Sequence, residues 1–178
     1  MDQAIFKATR TVLRRRGYEE LSIEGVAKAA GVAKTSIYRR WASKPSLVFA
    51  AVFGTTRDVV FADTGDLAAD LVLPVRALCT QFDSVEARAA LPALLPLFMS
   101  DATLRGDVQQ QILSPERARV LHLLERAKKG GVLRRGVDSE LVLDQLIGTV
   151  FYRTVTGAKV DVACADSLVR MVLHGTLA

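Results

Sequence analysis

Apolar residues recur along this chain at helical spacing, in runs separated by Gly, Pro and short polar clusters. The first run, Asp2 to Arg16, places Ile5, Ala8, Val12 and Leu13 on one face, and Gly17 stops it. The next stretch, SIEGVAKAAGVAKTSIYRRWASK from Ser22 to Lys44, compresses two short helices around Gly31 and Val32. Ala27 is small where the two meet, and Gly31 falls where a left-handed residue is cheapest without a Cβ. Val26, Ala30, Val32 and Ile37 can then point into the shared wedge. The spacing predicts a tight helix-turn-helix, with the second helix running roughly from Lys34 to Trp41.

End signals agree with these boundaries. Ser22 can accept from the donors of the first turn, with Leu21 and Val26 at the two positions of a hydrophobic staple. Ser43 and Pro45 mark the following helix in the same way. Ala33, at the N-cap of the second helix, has no side-chain acceptor, so water or a phosphate is left to meet that end.

Further on, a helix is expected from Lys44 to about Phe61, ending in the turn DTGD. Another is expected over Asp66 to Phe82, with Pro74 bending it or opening one bond of its ladder. Ser84 to Met99 contains Pro92 and Pro96, which should prevent a straight helix. Asp101 to Gly130 reads as one helix or two, with Ser114 and Pro115 expected to cap and open a fresh start. Asp138 should cap a helix that carries Leu143, Leu146, Ile147, Val150 and Phe151. The last helix, near Asp161 to His174, is apolar on more than one side through Cys164, Leu168, Val169, Met171, Val172 and Leu173. An apolar circumference of that width calls for a second covering surface; burial wholly within its own subunit is the alternative.

Composition sharpens this into an all-α reading. The 178 residues are 50% hydrophobic and sparse in aromatics, and are rich in Ala, Leu, Val and Arg, which favours helices. The net charge of +5 is unevenly placed: residues 1–62 hold 11 Lys or Arg against 5 Asp or Glu, the remainder 13 against 14. A basic module on a near-neutral body is expected if only the first meets a polyanion. Arg14, Arg15 and Arg16 suit the dipole of their helix end equally well. No apolar run reaches the length of a membrane span and no signal peptide is evident, so a soluble, cytoplasmic protein is expected.

The second helix of the turn carries the candidate chemistry. Lys34, Thr35, Ser36, Tyr38, Arg39 and Arg40 supply hydroxyls and cations that serve base edges and phosphates. A surface helix whose charges simply face water is the plain alternative, and the turn spacing weighs against it. Lys34, Thr35 and Ser36 are expected near base edges, Ser22, Tyr38, Arg40 and Lys44 near phosphate, and Arg39 near either.

At these residues the chain resembles a known family. GVAKTSIYRRWASKPSLV is similar to the end of the reader domain in TetR-type bacterial regulators, on the strength of Tyr38, Trp41, Ser43 and Lys44. GVLRRGVDSELVLDQLIGTVFYRTVTG resembles the late part of several of their C-terminal domains. The resemblance implies a three-helix helix-turn-helix DNA-binding domain over residues 1–46 and a larger helical effector-binding and dimerisation domain over 47–178. It further implies a homodimer, joined through its last two helices as a four-helix bundle, that sits on a double-stranded DNA operator and releases it when a small molecule binds. The helix after the reader would act as the lever between domains. A basic arm before the first helix, which many relatives carry, is not expected.

The effector side is less specific. Apolar segments with few polar groups imply a mostly hydrophobic ligand, with Phe98, Met99, His122, Phe151 and Tyr152 as candidate lining; such residues equally suit ordinary core. No P-loop, GxSxG elbow, HExxH, paired-Cys motif or dinucleotide fingerprint is present, so neither an enzyme nor a cofactor is expected. Cys79 and Cys164 fit no metal-ligand spacing and are expected as buried thiols. His122 and His174 have no metal-ligating neighbours at helical spacing. A helical interaction protein that has lost DNA binding is the rival reading, against which Arg39, Arg40 and Lys44 stand.

Overall fold

The computed structural model describes residues 1–54 and 64–176. Among these are ten α-helices: α1 Asp2–Arg16, α2 Ile23–Ala30, α3 Lys34–Tyr38, α4 Lys44–Phe53, α5 Leu67–Asp83, α6 Val85–Ser100, α7 Ala102–Val108, α8 Ser114–Lys129, α9 Ser139–Val155 and α10 Val162–Thr176. The all-α expectation holds. The fourth helix ends at Phe53 with Gly54 as its cap; residues 55–61 of its expected span and the first residue of the DTGD turn lie outside the described residues.

Contacts divide the chain into two compact units, Met1–Thr55 with Ser84–Ser114 and Thr56–Asp83 with Pro115–Ala178. The sequence boundary expected at 46/47 falls inside α4. In the first unit α4 packs against α1 on one side and against α6 and α7 on another. That double coverage explains why Leu47, Val48, Ala50, Ala51, Val52 and Phe53 are all buried, leaving α4 almost no solvent face. Burying Leu47 and Val48 completely stabilises the unit by about 1.5–3 kcal/mol each. Arg10 donates to the carbonyl of Ala51 at 3.0 Å, and Arg14 bonds Glu86, so α1 is tied to both α4 and α6.

Helix ends follow their sequence signals closely. Ser22 accepts from Gly25 N, Ser43 from Ser46 N, Ser84 from Ala87 N, and Asp138 from Glu140 N and Leu141 N. Asp161 does the same for Cys164 N at the start of α10. One expectation is corrected at Ser114. It is not an N-cap: its φ of −61° is helical, and its N–H donates to Gln109 O across a π turn, Gln109–Leu113, that carries the helical chain from α7 into α8. Pro115 has no N–H and crowds the carbonyls of the preceding turn, and widening that turn is the less costly answer than breaking it. Helices α5 and α6 likewise run on through Pro74 and through Pro92 and Pro96.

The second unit has one apolar core built from α5, α8, α9 and α10. Leu71, Val75 and Cys79 of α5 meet Leu146 and Val150 of α9 and Ala165, Leu168 and Val169 of α10. Arg76 binds Asp166 through two bonds of 2.7 Å, fastening α5 to α10. Arg117 of α8 reaches both Glu140 and Asp144 of α9. Most apolar positions of α10 are thus covered within the chain itself. The large apolar side chains left exposed on the last two helices are Leu141, Tyr152 and Val155 of α9 and Val162 and Met171 of α10.

Candidate nucleic-acid interface

The turn between α2 and α3 is built as the spacing requires. Gly31 has φ +67°, and the N–H of Val32 returns to Ala27 O at 3.0 Å, closing the end of α2 in a Schellman arrangement. α3 begins at Lys34 with Ala33 before it and no side-chain cap. It is shorter than the sequence implied: Arg39 and Arg40 continue as a turn that bonds back to Thr35 and Ile37, and Trp41 N also reaches Ile37 O. Ile37 is fully buried and Trp41 nearly so, its ring lying 5.2 Å from that of Phe6. These two side chains fix which side of α3 turns inward.

The opposite side is open. Lys34, Thr35, Tyr38 and Arg39 are exposed and Ser36 is half-buried. Arg40 is more engaged, bridging Asp2 of α1 at 2.9 Å and donating to Ser36 O at 3.2 Å. Ser22 spends its oxygen as a cap acceptor, which leaves the hydroxyl proton to donate outward. Lys44 sits over the Tyr18 ring, 4.3 Å from its centroid, and donates to Glu19 O at 3.3 Å. Burial, then the nearby Glu19 charge, pushes the Tyr18 phenol above its ordinary range. All eight expected DNA-facing residues therefore lie on, or flank, one small module.

Lys34 shows a partner the sequence reading missed. Its ammonium pairs with Glu24 of α2 and lies 5.5 Å from the centre of the Tyr38 ring. The hydrogen bond with Lys34 lowers the Glu24 carboxyl and raises the Lys34 ammonium. An acidic residue in the first turn of the helix before the reader was the available signal; its local fit to the α2 dipole hid the longer reach.

The expected effector residues are dispersed. Phe98 belongs to the first unit, where its ring lies 5.5 Å from that of Phe49, and Met99 beside it is 70% exposed. In the second unit Phe151 meets Phe82 edge-on at 6.3 Å, while His122 is exposed and Tyr152 is 66% exposed. An open cleft of about 440 Å³ in that unit is lined by Leu121, Glu125, Lys128 and residues 136–140, none of them among the five. Cys79 is buried and Cys164 half-buried, both as free thiols. Among the described residues no group of three or more His, Cys, Asp or Glu is placed to hold a metal, and no helix is long and apolar enough to cross a membrane.

Comparison with known proteins gives the same assignment over nearly the whole chain. Residues 5–51 match the family described as bacterial regulatory proteins, tetR family, and residues 61–172 match the tetracyclin repressor-like C-terminal domain. The DNA-binding transcriptional repressor TetR of Mycobacteroides abscessus is 31% identical over 173 residues, covering 96% of this chain and 90% of the relative. The HTH-type transcriptional regulator YdeS of Bacillus subtilis is 27% identical over 178 residues, covering 99% of this chain and 89% of the relative. The crystal structure of the TetR family transcription regulator SCO0332 superposes with a TM-score of 0.79 at 31% identity, covering 97% of this chain and 96% of that one. The chain belongs to the TetR family of helix-turn-helix transcriptional regulators.

Proposed function

We propose that this regulator is a homodimeric repressor that reads a pseudo-palindromic operator and is released from it by a small, mostly hydrophobic effector. The observation that carries the DNA half of this reading is the two-sidedness of α3. Ile37 and Trp41 hold it against the module while Lys34, Thr35, Tyr38 and Arg39 face out. A helix anchored this way suits the major groove, with its N-terminal residues nearest the base edges. Lys34, Thr35 and Ser36 then read bases, and Ser22, Tyr38 and Lys44 position the module on phosphates. Arg39 serves either, and Arg40 offers phosphate only the donors that Asp2 and Ser36 do not take.

Dimerisation is supported by the exposed apolar positions of the last two helices. Leu141, Gln145, Gly148, Tyr152 and Val155 follow one another at helical spacing along the exposed side of α9, and Met171 is 72% exposed on α10. Two such faces packed together bury what one chain leaves bare, and a two-fold assembly calls for half-sites about 34–36 Å, or a multiple, apart. Repression is supported by the name of the Mycobacteroides abscessus relative, a DNA-binding transcriptional repressor. Release follows physically if the effector prefers the arrangement that cannot span two half-sites, because operator affinity then falls by the same factor.

Selection of duplexes from a randomised pool by the full chain, followed by gel shift on the winner and on a scrambled copy, tests the reading. A two-fold-related site bound at least a thousandfold more tightly than its scrambled copy is the expected outcome. Recovery of no preferred sequence would overturn it.

A further inference from the structure

We infer that Glu24 is a specificity-determining residue that acts on Lys34, holding it away from DNA that lacks the right base edge. The inference rests on the proposed operator-reading function and adds a residue to it. Lys34 is the first residue of α3, where a cation opposes the helix dipole and gains from a local anion. Glu24 supplies that anion from α2, and the Tyr38 ring face covers the ammonium from another direction. Both charged side chains remain solvent-accessible, 45% for Lys34 and 64% for Glu24, so the pair is weak enough to exchange when a duplex arrives.

The consequence differs between the two kinds of DNA. On a sequence the protein does not recognise, affinity comes almost wholly from cations that displace counterions from phosphates. Lys34, already neutralised by Glu24, contributes little there. On the operator a base edge with two acceptors, such as guanine O6 and N7, offers Lys34 more than Glu24 does. Glu24 therefore depresses sequence-independent binding more than operator binding, which widens the ratio between them.

The test measures affinity against salt concentration on the operator and on a scrambled duplex, for the unmodified chain, Glu24→Gln, Lys34→Gln and the double variant. Because both residues are exposed and the Ser22 cap is untouched, thermal unfolding should change little and serves as the folding control. Glu24→Gln should steepen the scrambled-duplex salt slope by about 0.9 and tighten that binding about 8-fold at 0.1 M salt, the effect of one added phosphate contact. Operator affinity should rise less, so the specificity ratio falls. In the Lys34→Gln background the gain should largely vanish. An unchanged slope, or a gain of equal size without Lys34, overturns the inference while leaving operator reading intact. Failure of the unmodified chain to bind any duplex sinks both.

Discussion

Arg14 on α1 and Glu86 on α6 share a two-donor ion pair, its Nε bond measuring 2.9 Å, across some seventy residues of chain. Glu86 is buried and Arg14 largely exposed. Burial alone would raise the Glu86 carboxyl, but the bonds from Arg14 and the charges of Arg14 and Arg10 outweigh it and hold the group below its ordinary value. A carboxylate with a depressed native value contributes stability above its unfolded value of 4.5 and loses it as pH falls further. Glu86→Gln should lower stability at pH 7 by about 1–2 kcal/mol, and the difference from the unmodified chain should shrink below pH 4. Urea unfolding at a series of pH values measures both; a pH-independent difference contradicts the assignment.

Gly31→Ala should destabilise the protein by about 1 kcal/mol. Beyond its two chain neighbours nothing lies within 4 Å of a Cβ built there, so the loss is conformational, from forcing an L residue to φ +67°. Thermal unfolding reads the stability loss. Since the same residue sets the exit of α2, operator affinity should fall as well, and a variant equal to the parent in both respects would show that the turn tolerates another geometry.

If the proposed dimer packs through α9 and α10, Tyr152→Asp together with Met171→Asp should yield a folded monomer, because both side chains are exposed. Losing a hot-spot side chain from an interface weakens it about 30-fold. Sedimentation at several concentrations follows the shift, and operator affinity should drop with it. A variant that stays dimeric would place the interface elsewhere.

Lys44→Ala should reduce the salt slope of duplex binding by about 0.9 with no change of preferred sequence, as expected for a phosphate contact. Tyr18 and Glu19 hold the ammonium in place, so Lys44→Arg should recover only part of the effect. Altered sequence preference at an unchanged slope would reassign Lys44 to base reading.

Cys79 should resist alkylation in the native state while Cys164 reacts. Burial first, then the neighbouring Cys164 and Asp161, pushes the Cys79 thiol up to about 12. A thiol raised in the native state adds stability below its unfolded value, near 9, and loses it as pH climbs towards 12. Maleimide labelling at pH 8 read by mass should find one adduct, shifting to two only on unfolding. Equal labelling of both would contradict the burial.

What could be read from the sequence was what neighbours along the chain decide. Ser22, Gly31, Ser43 and Asp138 set helix ends through bonds that span a few residues, and each does so in the structure. Ser114 misled because its local signal, a Ser-Pro pair, has a second solution in a widened turn. Pairings between distant segments left no trace in periodicity, among them Glu24 with Lys34, Arg40 with Asp2, and α6 with the reader module. The effector candidates other than His122 rested on apolar and aromatic character, which does not distinguish a stacked ring such as Phe98 from an exposed side chain such as Met99.

The first unit is assembled from two stretches of chain, Met1–Thr55 and Ser84–Ser114. A reader excised at residue 55 would leave α4 stripped of the cover that α6 and α7 give it, Phe49 without the Phe98 ring, and Arg14 without its carboxylate. Anyone grafting this reader onto another sensor must therefore transplant both stretches, since the portable cassette is larger than the contiguous one.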